Sequence, residues 1–250
     1  MKPNTEELQS SKSGSLSDYL VIDQLPSMFR SYDTNKVSVR GLYFEESLSL
    51  SRYVGVNREA PYSQLVNIYD DVIQGIKIED LELVDFIVLM IVSSIWTIDE
   101  FGWDPNIRCA NHLPDGEQCS NILHDRIILD DFEFDDPMVP ELPVEIPIKD
   151  KKIKVGALTV KDVIEKELYL RDNPDTNKKI LDYATLIKNE DMSFEEKVNF
   201  IKYSYKKDLD VIRQINSEVH IRIQPVVKKC ESCGHLNKLE IGLNRIRGYP

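Results

Sequence analysis

The chain has 250 residues, of which 42% are hydrophobic and 30% are charged, and its formal net charge at pH 7 is −12. This length allows one large domain or two small ones, and the composition is typical of a soluble globular protein. The excess of acids argues against a general nucleic-acid-binding protein, because phosphate contacts need clustered lysine and arginine. The N-terminus has no basic region followed by an apolar run, so we expect no signal peptide and a reducing compartment.

The first segment, residues 1–17, is rich in Ser, Glu, Lys and Asn and is predicted to be a flexible arm. Residues 18–104 are predicted to form an N-terminal helical core. Within this core, residues 36–42 alternate like a short strand, and a helix is expected over 44–54 with Gly55 at its end. A second helix is expected to begin at Pro61 and to stop at Gly75.

The longest apolar run covers residues 81–98 and contains Glu82, Asp85, Ser93 and Ser94. These polar positions favour a buried core helix over 81–97 rather than a membrane span. Asp85 lies near the helix start, where an acid is favoured by the helix dipole. We interpret Asp85 chiefly as such a first-turn acid, with capping or pairing as the alternative.

The third segment, residues 105–157, is predicted to contain half of a β-ribbon followed by acidic strands. Between residues 125 and 150, acidic residues alternate loosely with apolar ones, and four prolines interrupt the pattern. This favours a solvated sheet edge with an inward row of apolar side chains. Contact with a basic partner or with a hard cation is the alternative.

The fourth segment, residues 158–216, is predicted to be a helical insert of three helices. The last of them begins at a capping box, with Ser193 as N-cap and Glu196 at the third helical position. Residues 217–250 are predicted to form the second half of the ribbon and a short basic tail. The expected fold class is therefore α+β, mainly helical, with a zinc-ribbon-like β element assembled from two distant segments.

All four cysteines fall in the two predicted half-ribbons: Cys109, Cys119, Cys230 and Cys233. The second pair forms Cys-x-x-Cys-Gly, in which two thiolates can bind one face of a tetrahedral ion while Gly234 lets the chain turn beneath them. Since a closed structural site needs four ligands, we predict that the four cysteines bind one structural zinc ion.

Other interpretations of the cysteines stay open at this stage. His112 or His235 can replace a thiolate as a ligand, and the thiols can be metal-free. A Cys-x-x-Cys redox pair usually opens a helix after a strand, whereas here the flanking residues read as strand, turn and strand. Two disulfides would fit a secreted protein better than a protein of a reducing compartment.

Sequence motifs of catalysis are missing. There is no glycine-rich phosphate loop, no Gly-x-Ser-x-Gly elbow and no His-Glu-x-x-His spacing. We therefore predict that the protein is not an enzyme.

Several short segments together are similar to a known family. They are Leu25-Pro26-Ser27, the strand that ends in Val39-Arg40-Gly41-Leu42, Phe44-Glu45-Glu46, the run from Asp85 to Met90, and the final Cys-x-x-Cys-Gly. In this order they resemble the baseplate hub assembly proteins of T-even-type bacteriophages, over roughly residues 22–243. One departure is the first cysteine pair, in which nine residues separate Cys109 from Cys119 instead of the tight Cys-x-x-Cys.

The resemblance implies a structural component or chaperone of a contractile tail, without enzymatic activity. Its partners would be other baseplate or tail hub proteins, and not nucleic acid or membrane. The chain would lie within a larger assembly in which it can be oligomeric. It would reside in the virion tail baseplate or, during assembly, in the host cytoplasm. Two alternatives from other classes are an acidic zinc-ribbon adaptor of the transcription machinery and a Cys-x-x-Cys redox protein.

Overall fold

A computed structural model describes residues 19–52, 61–97, 107–114, 116–123, 127–128, 131–135, 138, 141–148 and 151–239. The predicted arm (1–17), the predicted helix end at Gly55 and the C-terminal tail lie outside these residues. The described part is mixed α+β, as expected, with seven α-helices and small antiparallel sheets.

The N-terminal core combines a sheet with three helices. The sheet pairs β1 (Leu20–Ile22), β2 (Val37–Val39) and β3 (Ile73–Gln74) in that order, all antiparallel. The helices are α1 (Phe44–Ser51), α2 (Tyr62–Tyr69) and α3 (Leu83–Thr97), with a 3₁₀ turn at Ile78–Asp80 before α3. Only one of the three strands, β2, was predicted from the sequence.

The second predicted helix is shorter than its apolar pattern suggested. It ends at Tyr69, and the chain then enters β3, where Ile73 pairs with Val39. Gly75 is therefore a turn residue after a strand rather than a helix stop, and its positive φ of 95° explains why a glycine lies there. Ile73 is buried in both arrangements, so burial alone did not distinguish helix from strand.

Helix α3 is the centre of the core, as predicted. Its residues Phe86 and Leu89 are fully buried, and Phe86 packs edge-on against Tyr69 at a ring-centroid distance of 5.9 Å. The helix has 15 residues, and neither it nor any other helix of the described chain meets the length and hydrophobicity required to span a bilayer.

The insert has its own apolar core. Strands β6 (Val144–Ile148) and β7 (Lys151–Val155) form a hairpin that packs with the helices of the insert. These helices are α4 (Val160–Asp172), α5 (Lys178–Ala184), α6 (Phe194–Lys202) and α7 (Lys206–Val219). The predicted domain limits stay predictions, although the apolar residues of β7 share a core with helices on the other side of residue 157.

The third predicted helix of the insert is two helices. The Ser193 capping box is confirmed, because Ser193 Oγ accepts from the Glu196 N–H and the Glu196 carboxylate accepts from the Ser193 N–H at 2.7 Å. The helix then stops at Lys202, and α7 begins only after Tyr205. The spacing of apolar residues continues across this break, which is why periodicity alone predicted one helix.

Two small hairpins complete the fold. Strands β4 (Ile107–Arg108) and β5 (Ile122–Leu123) pair with each other, and so do β8 (Val226–Lys229) and β9 (Leu236–Leu239). At their open ends Ile107, Val226 and Leu239 pack against the main core. The open ends of both hairpins are therefore anchored to the main core, and their turns lie away from it.

The described part of the acidic segment runs beside the second hairpin. Phe134 forms an isolated bridge with Ile223, and Lys228 pairs with Asp131 at 2.9 Å. Phe132 is buried, whereas Glu133 and Asp135 are exposed. This is the arrangement expected of a solvated edge with an inward apolar row.

Candidate metal centre

The first cysteine pair is held by an extended hairpin loop. The Cys109 N–H donates to the Asn121 carbonyl at 2.9 Å, and the Cys119 N–H donates to the Asn111 carbonyl at 2.8 Å. At the tip, Gly116 has a φ of 87° and its N–H donates to the Leu113 carbonyl. The nine-residue spacing thus forms a closed loop that brings the two thiols to one side.

The second pair lies in the tight turn between β8 and β9. The Cys230 N–H donates to the His235 carbonyl, and the Gly234 N–H donates back to the Cys230 carbonyl, both at 2.8 Å. Gly234 has a φ of 73°, which favours glycine because a Cβ is strained in this conformation. The role that the sequence suggested for this glycine is therefore confirmed.

The structure brings all four sulfur atoms together. They lie within 4.8 Å of one another, with Cys109 Sγ 3.7 Å from Cys233 Sγ and Cys119 Sγ 3.9 Å from Cys230 Sγ. All four are free thiols, and these separations far exceed a disulfide bond of about 2.05 Å. Three of the cysteines are buried and Cys233 is partly exposed. Such a group could hold a metal ion.

Neither His112 nor His235 takes part in this cluster. His112 is exposed, with Nδ1 3.4 Å from the Gly116 carbonyl oxygen, and His235 contributes its backbone to the turn. Within the described ranges, the only candidate metal-binding group consists of the four cysteines. The alternative in which a histidine replaces a thiolate has no support in this geometry.

The local electrostatics favour one thiolate in particular. Backbone N–H groups of Cys233 and Ser232 donate to the Cys230 sulfur and, despite burial, lower its pKa to about 6. The Asn121 backbone N–H lowers the pKa of Cys119, but burial and the neighbouring thiols raise it to about 11. Four thiols this close cannot all ionise without a cation, so metal binding must displace protons.

Three asparagine side chains surround the sulfur cluster. Asn121 Nδ2 lies 3.3 Å from Cys230 Sγ, Asn111 Nδ2 lies 3.6 Å from Cys233 Sγ, and Asn237 Nδ2 lies 3.6 Å from Cys109 Sγ. Amide N–H groups at these positions stabilise negative charge on the thiolates. The buried Asn237 also accepts from the Ala110 N–H at 2.9 Å, which joins the two hairpins directly.

The asparagines were not predicted from the sequence. The sequence does contain a pattern that points to two of them, because Cys-x-Asn occurs twice, as Cys109-Ala110-Asn111 and Cys119-Ser120-Asn121. In each case the asparagine lies two residues after the cysteine. The side chain contacts a sulfur of the opposite hairpin, and a single sequence cannot reveal that contact.

Replacing Asn121 with alanine should weaken metal binding without removing a ligand. Loss of an outer hydrogen bond to a ligand typically lowers metal affinity about 10-fold or more, and we expect such a loss for zinc. Competition with a chromophoric chelator measures it. Asn199→Ala, on the exposed face of α6, is the matched control and should leave the affinity unchanged.

A second polar cluster lies outside the metal centre and includes Asp85. Its fully buried carboxylate accepts from Ser27 N–H at 3.0 Å, Ser27 Oγ at 2.5 Å and Tyr32 O–H at 2.7 Å. Burial outweighs these three hydrogen bonds and raises the pKa of Asp85 to about 6. Asp85 lies in the first helical turn as interpreted, but it is paired, which was the alternative.

Beside it, Arg30 and Glu82 form a buried ion pair. Arg30 Nε and Nη2 donate to the two carboxylate oxygens of Glu82 at 3.0 and 2.9 Å. Arg30 also donates to the Val219 carbonyl at 2.7 Å, so the pair ties the N-terminal core to the end of α7. Between Ser27 and Arg30, Met28 and Phe29 have φ values of 54° and 59°, a strained conformation that these bonds hold in place.

Comparison of the chain with models of protein families, with curated proteins and with solved structures gave no match.

Proposed function

We propose that the four cysteines bind one structural zinc ion and that this ion joins the two hairpins into a zinc-ribbon-like element. The observation that carries the proposal is the sulfur geometry. A tetrahedral ion with zinc–sulfur bonds of about 2.3 Å requires sulfur–sulfur separations of about 3.8 Å. The separations of 3.7 and 3.9 Å between hairpins match this value.

The same geometry favours a single ion over an iron–sulfur cluster. A polynuclear cluster has sulfides that bridge its irons, so thiolates bound to different irons lie farther apart than sulfurs bound to a single ion. Here all four sulfurs lie within 4.8 Å of one another. Four thiolates leave no open coordination position, so the ion would be structural rather than catalytic. Its effect would be to fix two segments that are 111 residues apart in the chain.

We further propose that the protein acts through protein–protein contacts as a hub component or assembly factor of a phage tail baseplate, and not as an enzyme. The support is the resemblance of its short motifs to those of T-even-type hub assembly proteins. Two of these motifs contact each other, since Ser27 of Leu25-Pro26-Ser27 donates twice to Asp85 of the apolar helix. Motifs that form one buried unit are more informative than the same motifs scattered over the fold.

Quantitative mass spectrometry of purified phage particles and of infected-cell lysate tests this role. We expect either a small fixed copy number in particles, as for a hub component, or abundance in lysate together with co-purifying tail proteins, as for a chaperone. Absence from particles combined with capture of RNA polymerase subunits and of no tail protein would contradict the proposal and favour a transcription adaptor.

A further inference from the structure

The second hairpin, formed by β8 and β9, has one covered face. Its antiparallel register places Val226 opposite Leu239 and Lys228 opposite Asn237, so these four side chains point to the same side. All four residues are buried. Val226 and Leu239 pack against the main core, and Asn237 accepts from the Ala110 N–H of the first hairpin. The rest of the fold therefore occupies this face.

The opposite face of the same hairpin is exposed and combines aliphatic with cationic side chains. Val227 lies opposite Lys238, and Lys229 lies opposite Leu236. Val227 is 50% exposed and Leu236 is 58% exposed, and both lysines are exposed as well. The two aliphatic residues are diagonal neighbours, and so are the two lysines, at a spacing that long side chains can reach across. These four residues, named the ribbon face below, therefore form one mixed patch.

The two lysines of the ribbon face are not neutralised by the hairpin itself. Neither ammonium group takes part in an ion pair within the described residues. The turn between the strands carries one exposed acid, Glu231, and no ion pair joins it to Lys229 in this part of the chain. Like charges on neighbouring strands repel each other, so the free hairpin has an unmatched positive charge on this face.

The acidic segment that runs beside the hairpin does not supply the missing partner. Asp131 pairs with the inward Lys228 at 2.9 Å. Farther along, the Asp135 carboxylate accepts from the Gln224 side chain at 2.6 Å, and the Glu133 carbonyl accepts from the Gln224 N–H at 2.8 Å. These contacts place both acidic residues beside the chain that precedes β8. The ribbon face thus stays cationic in a chain whose net charge is −12.

The first hairpin repeats this pattern on a smaller scale. Ile107 and Leu123 are opposite each other and lie on the inward side, where Ile107 packs against the main core and Leu123 is buried. The next pair, Arg108 and Ile122, points the other way, and both residues are exposed. Arg108 forms no ion pair with any residue that the structure describes. Each hairpin of the proposed zinc ribbon therefore exposes aliphatic and cationic side chains together.

The composition of the ribbon face favours an acidic protein segment over other anionic partners. Carboxylates complement its two lysines, and aliphatic side chains of the partner can cover Val227 and Leu236. The four residues include no aromatic side chain on which a nucleic-acid base could stack. They also include no Trp or Phe of the kind that inserts into a membrane interface.

We propose that the ribbon face binds an extended acidic segment of a protein partner, whose aliphatic side chains contact Val227 and Leu236 and whose carboxylates pair with Lys229 and Lys238. The ribbon face would be one contact surface of the proposed hub or assembly role, on which this inference rests. A chain that contains zinc and binds tail proteins but not an acidic segment would overturn the inference alone. The metal site and the contact role would both stand in that case.

Titration of the full ¹⁵N-labelled chain with acetyl-Glu-Ser-Leu-Ser-Glu-Ser-Leu-amide, followed by NMR at low salt, tests the surface. Alternate residues of an extended peptide share a face, so this peptide presents carboxylates and leucines together. We expect saturable shifts of amides in 226–239. The same peptide with glutamine in place of glutamate should bind about 10-fold more weakly, because its attraction to the lysines is lost.

Charge reversal on the protein tests the same contacts from the other side. We expect Lys229→Glu combined with Lys238→Glu to weaken binding by about 10-fold or more, because two attractions become repulsions. Lys206→Glu combined with Lys207→Glu makes the same change in net charge at two exposed positions of α7 and should leave the affinity unchanged. An equal loss in both double variants would mean unspecific attraction and would overturn the proposal.

The aliphatic half of the contact has its own test. Leu236→Ser should weaken peptide binding, whereas Leu168→Ser, at an exposed position of α4, should not. Both variants should keep the native melting temperature and zinc content, because both side chains are exposed. Unchanged affinity in Leu236→Ser would overturn the proposal. If the charge-reversal variant loses zinc, Lys238→Glu alone must weaken binding, and unchanged affinity would overturn the proposal equally.

Three further outcomes would assign the ribbon face to another partner and would also overturn the proposal. The first is larger shifts of amides in 226–239 with phosphatidylglycerol vesicles than with the peptide, and the second is larger shifts with a thymidine oligonucleotide. The third is a set of shifts in the same range that depends on protein concentration without peptide, as expected for a second copy of the chain. The absence of saturable shifts with the peptide would contradict the proposal as well.

Discussion

Cys230→Ser is expected to unfold both hairpins and to lower the melting temperature of the chain by more than any surface substitution. Structural zinc contributes about 10–16 kcal/mol in small zinc peptides, which is comparable to the net stability of a whole domain, about 5–15 kcal/mol. Serine replaces a proposed zinc ligand whose sulfur lies 3.9 Å from the Cys119 sulfur. In this variant, amide hydrogen exchange should be faster than in the native protein over 107–123 and 226–239. Removing the metal from the native protein with a chelator should speed up exchange in the same two ranges.

The exposed neighbour in the same turn provides the control. Ser232→Ala changes the side chain beside Cys230 and keeps the backbone N–H that donates to its sulfur, so we expect native melting and native metal content. Unchanged thermal melting of the native protein after complete metal removal would contradict a structural role of the metal. In that case the thiols would be held together by packing alone.

Asp85→Ala is expected to give the second-largest effect, a loss of about 3–5 kcal/mol in the free energy of unfolding. The substitution leaves three buried donors without an acceptor, the N–H and O–H of Ser27 and the O–H of Tyr32. Each such orphaned group costs about 1–3 kcal/mol. Urea denaturation measures the loss, and Asp80→Ala, an exposed acid of the preceding 3₁₀ turn, should stay within about 0.5 kcal/mol of the native protein.

The effect of Asp85 should depend on pH with a defined sign. The pKa of Asp85 is raised from 3.8 to about 6 in the folded protein, because burial disfavours the charged form. Its stabilising contribution is therefore complete below about pH 4 and declines as the pH rises through 6, by about 3 kcal/mol in all. The difference between native protein and Asp85→Ala should shrink from pH 4 to pH 7; a difference that grows over this range would contradict the assigned shift.

The sequence was most informative where one residue type has one structural use. Gly234 was predicted to allow a turn under the sulfurs, and its φ of 73° agrees. The Ser193 capping box marked a helix start to the residue, because its two hydrogen bonds are local. The apolar run of α3 predicted a core helix for the same reason, since its burial needs no knowledge of distant partners.

The features that the sequence did not predict are those that depend on tertiary contacts. Strand β3 exists because Ile73 pairs with Val39, and nothing local in 70–75 distinguishes it from the end of an apolar helix. The pairing of Asp85 requires Ser27, 58 residues earlier in the chain. The asparagines around the sulfurs likewise act across the two hairpins, so their role follows only from the assembled site.

Native mass spectrometry of the full chain, combined with elemental analysis, determines directly whether the four cysteines bind one zinc ion. We expect one zinc ion per chain in the native protein and none in Cys119→Ser or Cys230→Ser, one variant in each hairpin. Retention of a full zinc equivalent in either variant, or a native chain that is metal-free when purified under reducing conditions with zinc present, would contradict it.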